Sequence, residues 1–336
     1  MSRSLSVPNS LLYYNAFLAR KSNVSASEMT RYEQIYKGYL GEKRFREILE
    51  RYDSSKVYPL YNLWFDINGS EFQIDAILFT SHTIYLLEIK NFTGDYVIEE
   101  SKIYSLQSRT QIYNPVNQLE RTEYLFQRLL KQFNYSAKIS SHVVFINDHF
   151  WLYGATINSP FIFSPQIESF VKKIYNNSRP LPQRMYMLAE KLSKLDNQKS
   201  IYDRFPNMKK ADIKRGLFCI HCFQSLKRKN LFKFDCKQCD ISYDLDEVVL
   251  QAISQFYILF PKERITVGKV SDWCNYEISR KTIVRILKTY LDIHRKGSYT
   301  SYSWKESFNP IMFLANYLEE KAKEDLIVEF QAVQSI

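Results

Sequence analysis

The sequence predicts an α/β (α+β) domain followed by a small cysteine ribbon and a mostly helical C-terminal domain. Three observations carry this. Short runs rich in Ile, Leu and Phe, bounded by turn residues, lie between 58 and 91 and read as strands. Longer runs with apolar residues at helical spacing lie on either side, at 32–52 and 116–133. Two Cys-x-x-Cys pairs, Cys219/Cys222 and Cys236/Cys239, then interrupt the pattern, and helical spacing resumes from 248.

The elements follow in order. Residues 1–30 are polar and Ser-rich, with a short amphipathic patch at 11–18. Residues 32–52 read as a helix with Ile35, Tyr39, Phe45, Ile48 and Leu49 as its apolar set. Gly38 and Gly41 lie one turn apart in it. Glycine costs about 1 kcal/mol in a helix interior, so a close backbone approach is expected there. Residues 58–67 and 70–80 form a hairpin around Asn68-Gly69, a dipeptide suited to a two-residue turn. The next strand is 83–91. Asn114-Pro115 opens a turn into a helix at 116–133. Residues 142–147 read as a buried strand, and 166–175 and 183–195 as helices.

The polar stretch 196–214, containing Pro206, reads as a linker. The four cysteines follow in 216–246, then a compact helical unit at 248–305 and an amphipathic helix at 311–333. The expected division is therefore 1–30, 31–195, 196–214, 215–246, 247–305 and 306–336.

Charged residues make up 24% of the chain and apolar residues 45%, which argues against wholesale disorder. No run approaches the roughly 18–20 apolar residues of a membrane span. The first residues lack the apolar core of a signal peptide, so a cytoplasmic protein is expected. The net charge of +10 is unevenly spread. Residues 201–300 hold 19 Lys and Arg against 11 Asp and Glu, while 301–336 hold 3 against 6. Such a basic stretch suits a polyanion, nucleic acid foremost, or a solvated basic face. The 25 Tyr and 23 Phe read as core material.

Three charged residues stand out within the strands. Asp75 lies in Gln73-Ile74-Asp75-Ala76-Ile77-Leu78, and Glu88 and Lys90 in Leu87-Glu88-Ile89-Lys90-Asn91. Charge inside apolar strands is expensive to bury. Strand side chains alternate, so Glu88 and Lys90 share a face, and Asp75 joins them if the strands are neighbours. Two carboxylates and a lysine at a sheet edge suit a divalent cation and a water. Mg²⁺ (or Mn²⁺) takes hard oxygen ligands and polarises a scissile phosphate. Asp75 and Glu88 fit the ligand role, and Lys90 the stabilisation of charge on phosphate oxygens. Glu42, just after Gly41, is a third candidate carboxylate, and Gln118 is a candidate to orient water or substrate. The plainer reading is an edge-strand ion pair with Asp75 capping a turn and Glu42 solvated.

In this order, Gly38-Tyr39-Leu40-Gly41-Glu42, the Asp75 and Glu88–Lys90 segments, and Asn114-Pro115-Val116-Asn117-Gln118 resemble the NERD (nuclease-related) domain. That family looks like a branch of the PD-(D/E)XK nucleases. The resemblance covers about 31–148 and is specific only in combination. It implies a mixed β-sheet flanked by helices, a restriction-endonuclease-like core, with a metal-dependent phosphodiesterase site. By position it makes Asp75 and Glu88 metal ligands, Lys90 the catalytic lysine, Glu42 the helix acid and Gln118 the accessory polar residue.

Cys219, Cys222, Cys236 and Cys239 have the spacing of a structural zinc ribbon, four thiolates closing tetrahedrally on Zn²⁺. Disulfides or free thiols are the competing readings, and a reducing compartment disfavours disulfides. His221 reads as a bystander and Cys274 as packing. Between the pairs, Lys227, Arg228 and Lys229 suggest a hairpin with a basic tip. Further on, 266–275 and 279–291 read as a short helix and a second helix, with Ile283, Ile286, Leu287 and Tyr290 facing inward and Arg280, Lys281, Arg285 and Lys288 outward. That pattern resembles a helix-turn-helix, and 295–304 a wing. An ordinary helical hairpin is the alternative.

Two functions are carried forward. One is a metal-dependent nuclease acting on nucleic acid, DNA before RNA, with the ribbon and helix pair binding substrate. The other is a non-cleaving DNA-binding regulator or adaptor using 216–305. A scaffold that meets an acidic protein partner is a weaker third.

Overall fold

The computed structural model describes residues 7–53, 55–196, 208, 212–297 and 299–334, with side chains to Leu326. The expected linker falls mostly on 197–207 and 209–211, and one residue of the expected wing is Ser298; these lie outside the described residues. Two helices open the chain, α1 (Asn9–Arg20) and α2 (Ala26–Leu49). The described residues of 37–202 form one compact unit, and those of 7–36 and 203–336 form another.

In the first unit, β1 (Tyr58–Ile67) and β2 (Ser70–Phe79) pair antiparallel. Asn68 and Gly69 turn the chain with φ of +52° and +80°, a two-residue turn that glycine tolerates at no steric cost. β3 (Thr83–Lys90) pairs antiparallel with β2, Ala76 opposite Leu87. Next come β4 (Gly94–Glu99), β5 (Lys102–Ser105) and β6 (Gln111–Ile112), and then α3 (Pro115–Gln132), capped by the Asn114 side chain accepting from Val116 N–H at 3.0 Å. β7 (Lys138–Phe145) runs parallel to β3, and β8 (Phe150–Tyr153), β9 (Phe161–Phe163), α4 (Ser164–Asn177) and α5 (Gln183–Lys194) complete the unit.

The fold class is as expected: a mixed sheet, β1-β2-β3-β7-β9, flanked by helices. On one face Leu60, Ile77 and Leu86 are closed over by Phe126 and Leu129 of α3 and Leu188 and Leu192 of α5. On the other, Tyr85 meets Phe170 of α4 edge-on at 6.2 Å. Two points differ from the sequence reading. β3 is the middle strand of five, so its charged residues stand at the C-terminal end of a central strand and not at a sheet edge. The second is a further sheet, β6-β5-β4-β8, which no apolar run in the sequence announces. Its strands are short and partly exposed, and they attach through an aromatic cluster in which Phe145 and Phe150 stack at 4.3 Å.

The second unit draws in the N-terminal segment, which composition had set apart. α1 buries Leu11, Leu12, Ala16, Phe17, Leu18 and Ala19. Its last residue, Arg20, is 1% exposed. It donates to Gln255 Oε1 and the Gly216 carbonyl, each at 2.8 Å, and lies over the Trp273 ring at 4.3 Å. Burial pulls its pKa down to about 9, with the Cys274 thiol opposing weakly. Asp212–Lys214, at the end of the expected linker, hydrogen-bond to Arg20 and Ser22. A polar composition does not reveal this role, because Arg20 is satisfied by carbonyls and rings that lie far off in sequence.

The unit continues with the ribbon, β10 (Lys227–Arg228), β11 (Lys233–Cys236) and β12 (Ile241–Asp244), in that sheet order. Its hairpin loop, 229–232, carries exposed Lys229 as expected but also Leu231 and Phe232, 74% and 71% exposed, while Lys227 and Arg228 lie on the strand. α6 (Leu245–Leu259) follows, then α7 (Val267–Trp273), α8 (Arg280–Tyr290), the antiparallel pair β13 (Leu291–Lys296) and β14 (Tyr299–Trp304), and α9 (Pro310–Gln334). The strand pair after α8 thus starts at Leu291, four residues before the expected wing. Cys274 is fully buried, as expected of a packing residue. Among the described residues no helix is long and apolar enough to cross a membrane.

Candidate active site and cysteine cluster

The antiparallel pairing of β2 and β3 brings Asp75 beside the β3 acid and lysine. Asp75 is 8% exposed, and its Oδ2 accepts from the Ile89 N–H at 2.8 Å. Glu88, 3% exposed, and Lys90 stand two residues apart on one face, with Nζ donating to Glu88 Oε1 at 2.5 Å. Lys90 Nζ also donates to Gln118 Oε1 of α3 at 3.2 Å. The N-cap at Asn114 sets the start of α3, which places Gln118 one turn in, over the end of β3.

Glu42 arrives from α2. The residue is only partly exposed, and its Oε2 is buried and has no hydrogen-bond partner among the described residues. The approach depends on Gly41. A Cβ there would stand 2.8 Å from Asn91 Cβ and 3.1 Å from Ile146 Cγ2, whereas a Cβ on Gly38 would meet nothing within 4 Å. Only one of the two glycines is therefore needed for close packing. Asn91 fastens the junction, donating to the Lys37 carbonyl at 2.9 Å and accepting from Asn147 Nδ2 at 2.8 Å. Asn147 was not singled out from the sequence, since nothing local ties it to Asn91. Gly41→Ala is expected to push α2 off β3 and cost activity with Glu42 displaced. Gly38→Ala is expected to be neutral or to stabilise by up to about 1 kcal/mol. Thermal melts and cleavage assays on both variants check this.

All five predicted residues converge, and their electrostatics follow. Burial, then Asp75 and Glu88, raise the Glu42 carboxyl well above its ordinary value, with Lys90 opposing. Burial also raises Asp75, outweighing Lys90 and the Ile89 N–H. Burial and Asp75 push Glu88 up to about 8 against the pull of Lys90 and Gln118. For Lys90, burial acts downward, but Glu88, Asp75 and Glu42 together raise it. Three carboxylates thus face one ammonium. A hard divalent cation fits this donor set: it would balance the excess charge and offer the unpartnered Glu42 oxygen a partner.

The four cysteines of the ribbon also converge. Their Sγ atoms all lie within 4.8 Å of one another, with Cys219–Cys239 at 3.9 Å and Cys222–Cys236 at 3.4 Å. Tetrahedral zinc with bonds of about 2.3 Å sets its sulfurs about 3.8 Å apart, so the cluster fits zinc. All four are free cysteines in this structure. Burial pushes Cys222 up to about 11 and Cys239 upward too, and the Tyr243 hydroxyl lies 3.2 Å from Cys219 Sγ as an outer partner. His221 contributes its carbonyl to Lys321 and is outside the cluster.

The basic residues fare unevenly. Lys227, Arg280, Lys281 and Lys288 are exposed. Lys229 pairs with Asp235 at 3.1 Å. Arg285 is not an open contact: its guanidinium forks onto both oxygens of Asp246, at 2.8 and 2.6 Å, because α8 packs on the start of α6. Arg228 donates to the Glu277 carbonyl at 3.0 Å and lies over Phe234 at 4.6 Å.

Residues 37–146 match the family model of the nuclease-related (NERD) domain, a stretch that contains all five predicted site residues. No curated protein and no solved structure matches the chain.

Proposed function

We propose that this chain is a divalent-metal-dependent nuclease that hydrolyses phosphodiester bonds in DNA. The observation that carries the reading is the convergence of Glu42, Asp75, Glu88, Lys90 and Gln118 inside the stretch matching a nuclease-related domain. Asp75 and Glu88 would hold Mg²⁺ or Mn²⁺, with Glu42 as third acid. The bound cation would supply Lewis-acid polarisation of the phosphate and a more acidic water. Lys90, beside Glu88, would offer its ammonium to charge building on the phosphate oxygens. Gln118 holds Lys90 in place and orients the attacking water. Burial of the acids by α2 and α3 keeps their charges poorly screened, which strengthens the pull on a cation.

The ribbon serves as a zinc-held fold element beside α7 and α8, and this unit binds substrate through exposed Lys227, Arg280, Lys281 and Lys288. The arrangement of α7, a tight turn, α8 and a strand pair suits a duplex groove, which favours DNA over RNA. The full chain is tested on matched DNA and RNA duplexes and single strands, with Mg²⁺, Mn²⁺ or EDTA. Cleavage of DNA that stops in EDTA supports the reading. Binding without cleavage under every metal condition sinks it and leaves the non-cleaving regulator.

A further inference from the structure

Between α7 and α8 the backbone is held in an unfavourable conformation. Asn275 and Tyr276 follow each other with φ of +53° and +57°. Asparagine adopts the left-handed region readily, but a bulky tyrosine there carries strain that the surroundings must hold in place. The Tyr276 N–H donates to the Ser271 carbonyl at 2.8 Å, which locks the turn. The ring gains nothing from burial in return, since Tyr276 is 70% exposed.

The next residue ties the turn to the ribbon. The Glu277 carbonyl accepts from Arg228 of β10, and the Glu277 carboxylate feels Lys227 and Arg228. Four residues past Tyr276, Arg280 and Lys281 open α8, both exposed. Two further neighbouring acids are already paired, Asp272 with Arg215 at 2.9 Å and Asp246 with Arg285. The turn that carries this exposed ring therefore lies beside Lys227 and Arg228 of the ribbon strand, which share the one Glu277 carboxylate, and leads into exposed Arg280 and Lys281 of α8, so the cations outnumber the acid.

We propose that β10 and the α7–α8 turn form one nucleic-acid-binding surface centred on Tyr276, so that ribbon and helix pair bind a duplex together and not as separate modules. The inference rests on the nucleic-acid reading above. The charge fits a phosphate backbone, and the ring adds contact to sugar or base. Strain retained at an exposed site without packing gain is the pattern of a residue kept for binding.

The test uses the full chain and a 20-base-pair DNA duplex, with affinity measured by fluorescence anisotropy in buffer without added divalent metal. Tyr276→Gly removes the left-handed strain, so its melting temperature should not fall, while its affinity should drop about tenfold. Lys227→Glu and Arg280→Glu should each weaken binding and lower the slope of log affinity on log salt by about one or more. Lys172→Glu on α4, an equal charge change on an exposed residue, should do neither. Tight binding by wild type that Tyr276→Gly and Lys227→Glu leave intact would overturn the surface alone. Absence of duplex binding by wild type at low salt would overturn the surface and the nucleic-acid reading together.

Discussion

Glu88→Gln is expected to lower cleavage by about a thousandfold or more, equivalent to about 4 kcal/mol of barrier, while raising the melting temperature of the metal-free protein. The two effects have one cause. Glu88 shares a buried space with Asp75 and Glu42, and its carboxyl is pushed up to about 8. An unfolded chain ionises this group near its ordinary value of 4.5. Between those values the folded protein binds the proton more tightly than the unfolded one. Stability of the metal-free protein should therefore fall as pH rises from about 5 to about 8, with Asp75 and Glu42 acting in the same direction. Gln keeps an acceptor for Lys90 and removes the charge, so the slope should flatten. Melts across that pH range, with and without Mn²⁺, check this. An unchanged slope in Glu88→Gln would contradict the crowded-carboxylate picture.

Cys236→Ser is expected to abolish zinc binding and to lower the melting temperature of the second unit by ten degrees or more. Structural zinc in peptide-sized ribbons contributes roughly 10–16 kcal/mol of binding free energy at neutral pH, which there is folding free energy. Apart from the thiols, the ribbon is held by a small apolar set that includes Leu226, Phe234 and Tyr243. Its strands are two to four residues long, and Leu231 and Phe232 at the tip are exposed. Metal analysis of the purified chain should return zinc at one per molecule for wild type and near none for the variant. Full stability in a zinc-free wild type would show that the four thiols pack without a metal role. Because β10 contacts the α7–α8 turn, loss of zinc should also weaken duplex binding.

Much of the first unit was legible because its signals are local. The Asn68-Gly69 turn and the apolar runs on each side define β1 and β2, and alternation alone puts Glu88 and Lys90 on one face. The meeting of Glu42 and Gln118 with them is not local. It depends on α2 pressing against Asn91 through Gly41 and on where the Asn114 cap starts α3. Only resemblance to a known motif could join those pieces in advance.

Other features left no trace in sequence. β4, β5 and β6 are short and partly exposed, so they lack an apolar run. Arg20 looks like a surface residue until carbonyls of Gly216 and Trp273 surround it. Arg285 sits on the outward side of α8 by periodicity, yet Asp246, 39 residues earlier, captures it. Tyr276 gave no periodic signal because it belongs to a turn. Its distinguishing mark is a backbone angle.

The most direct single measurement is conversion of supercoiled plasmid by the full chain in Mg²⁺, beside Lys90→Ala under identical conditions. Among the described residues Lys90 is the cation that Glu88, Asp75 and Glu42 all act on, and its removal leaves the three carboxylates in place. The nuclease reading expects nicked or linear DNA from wild type, none in EDTA, and a loss of at least about a hundredfold in Lys90→Ala with Mn²⁺ binding retained. Equal cleavage by both proteins, or none by wild type, would contradict it.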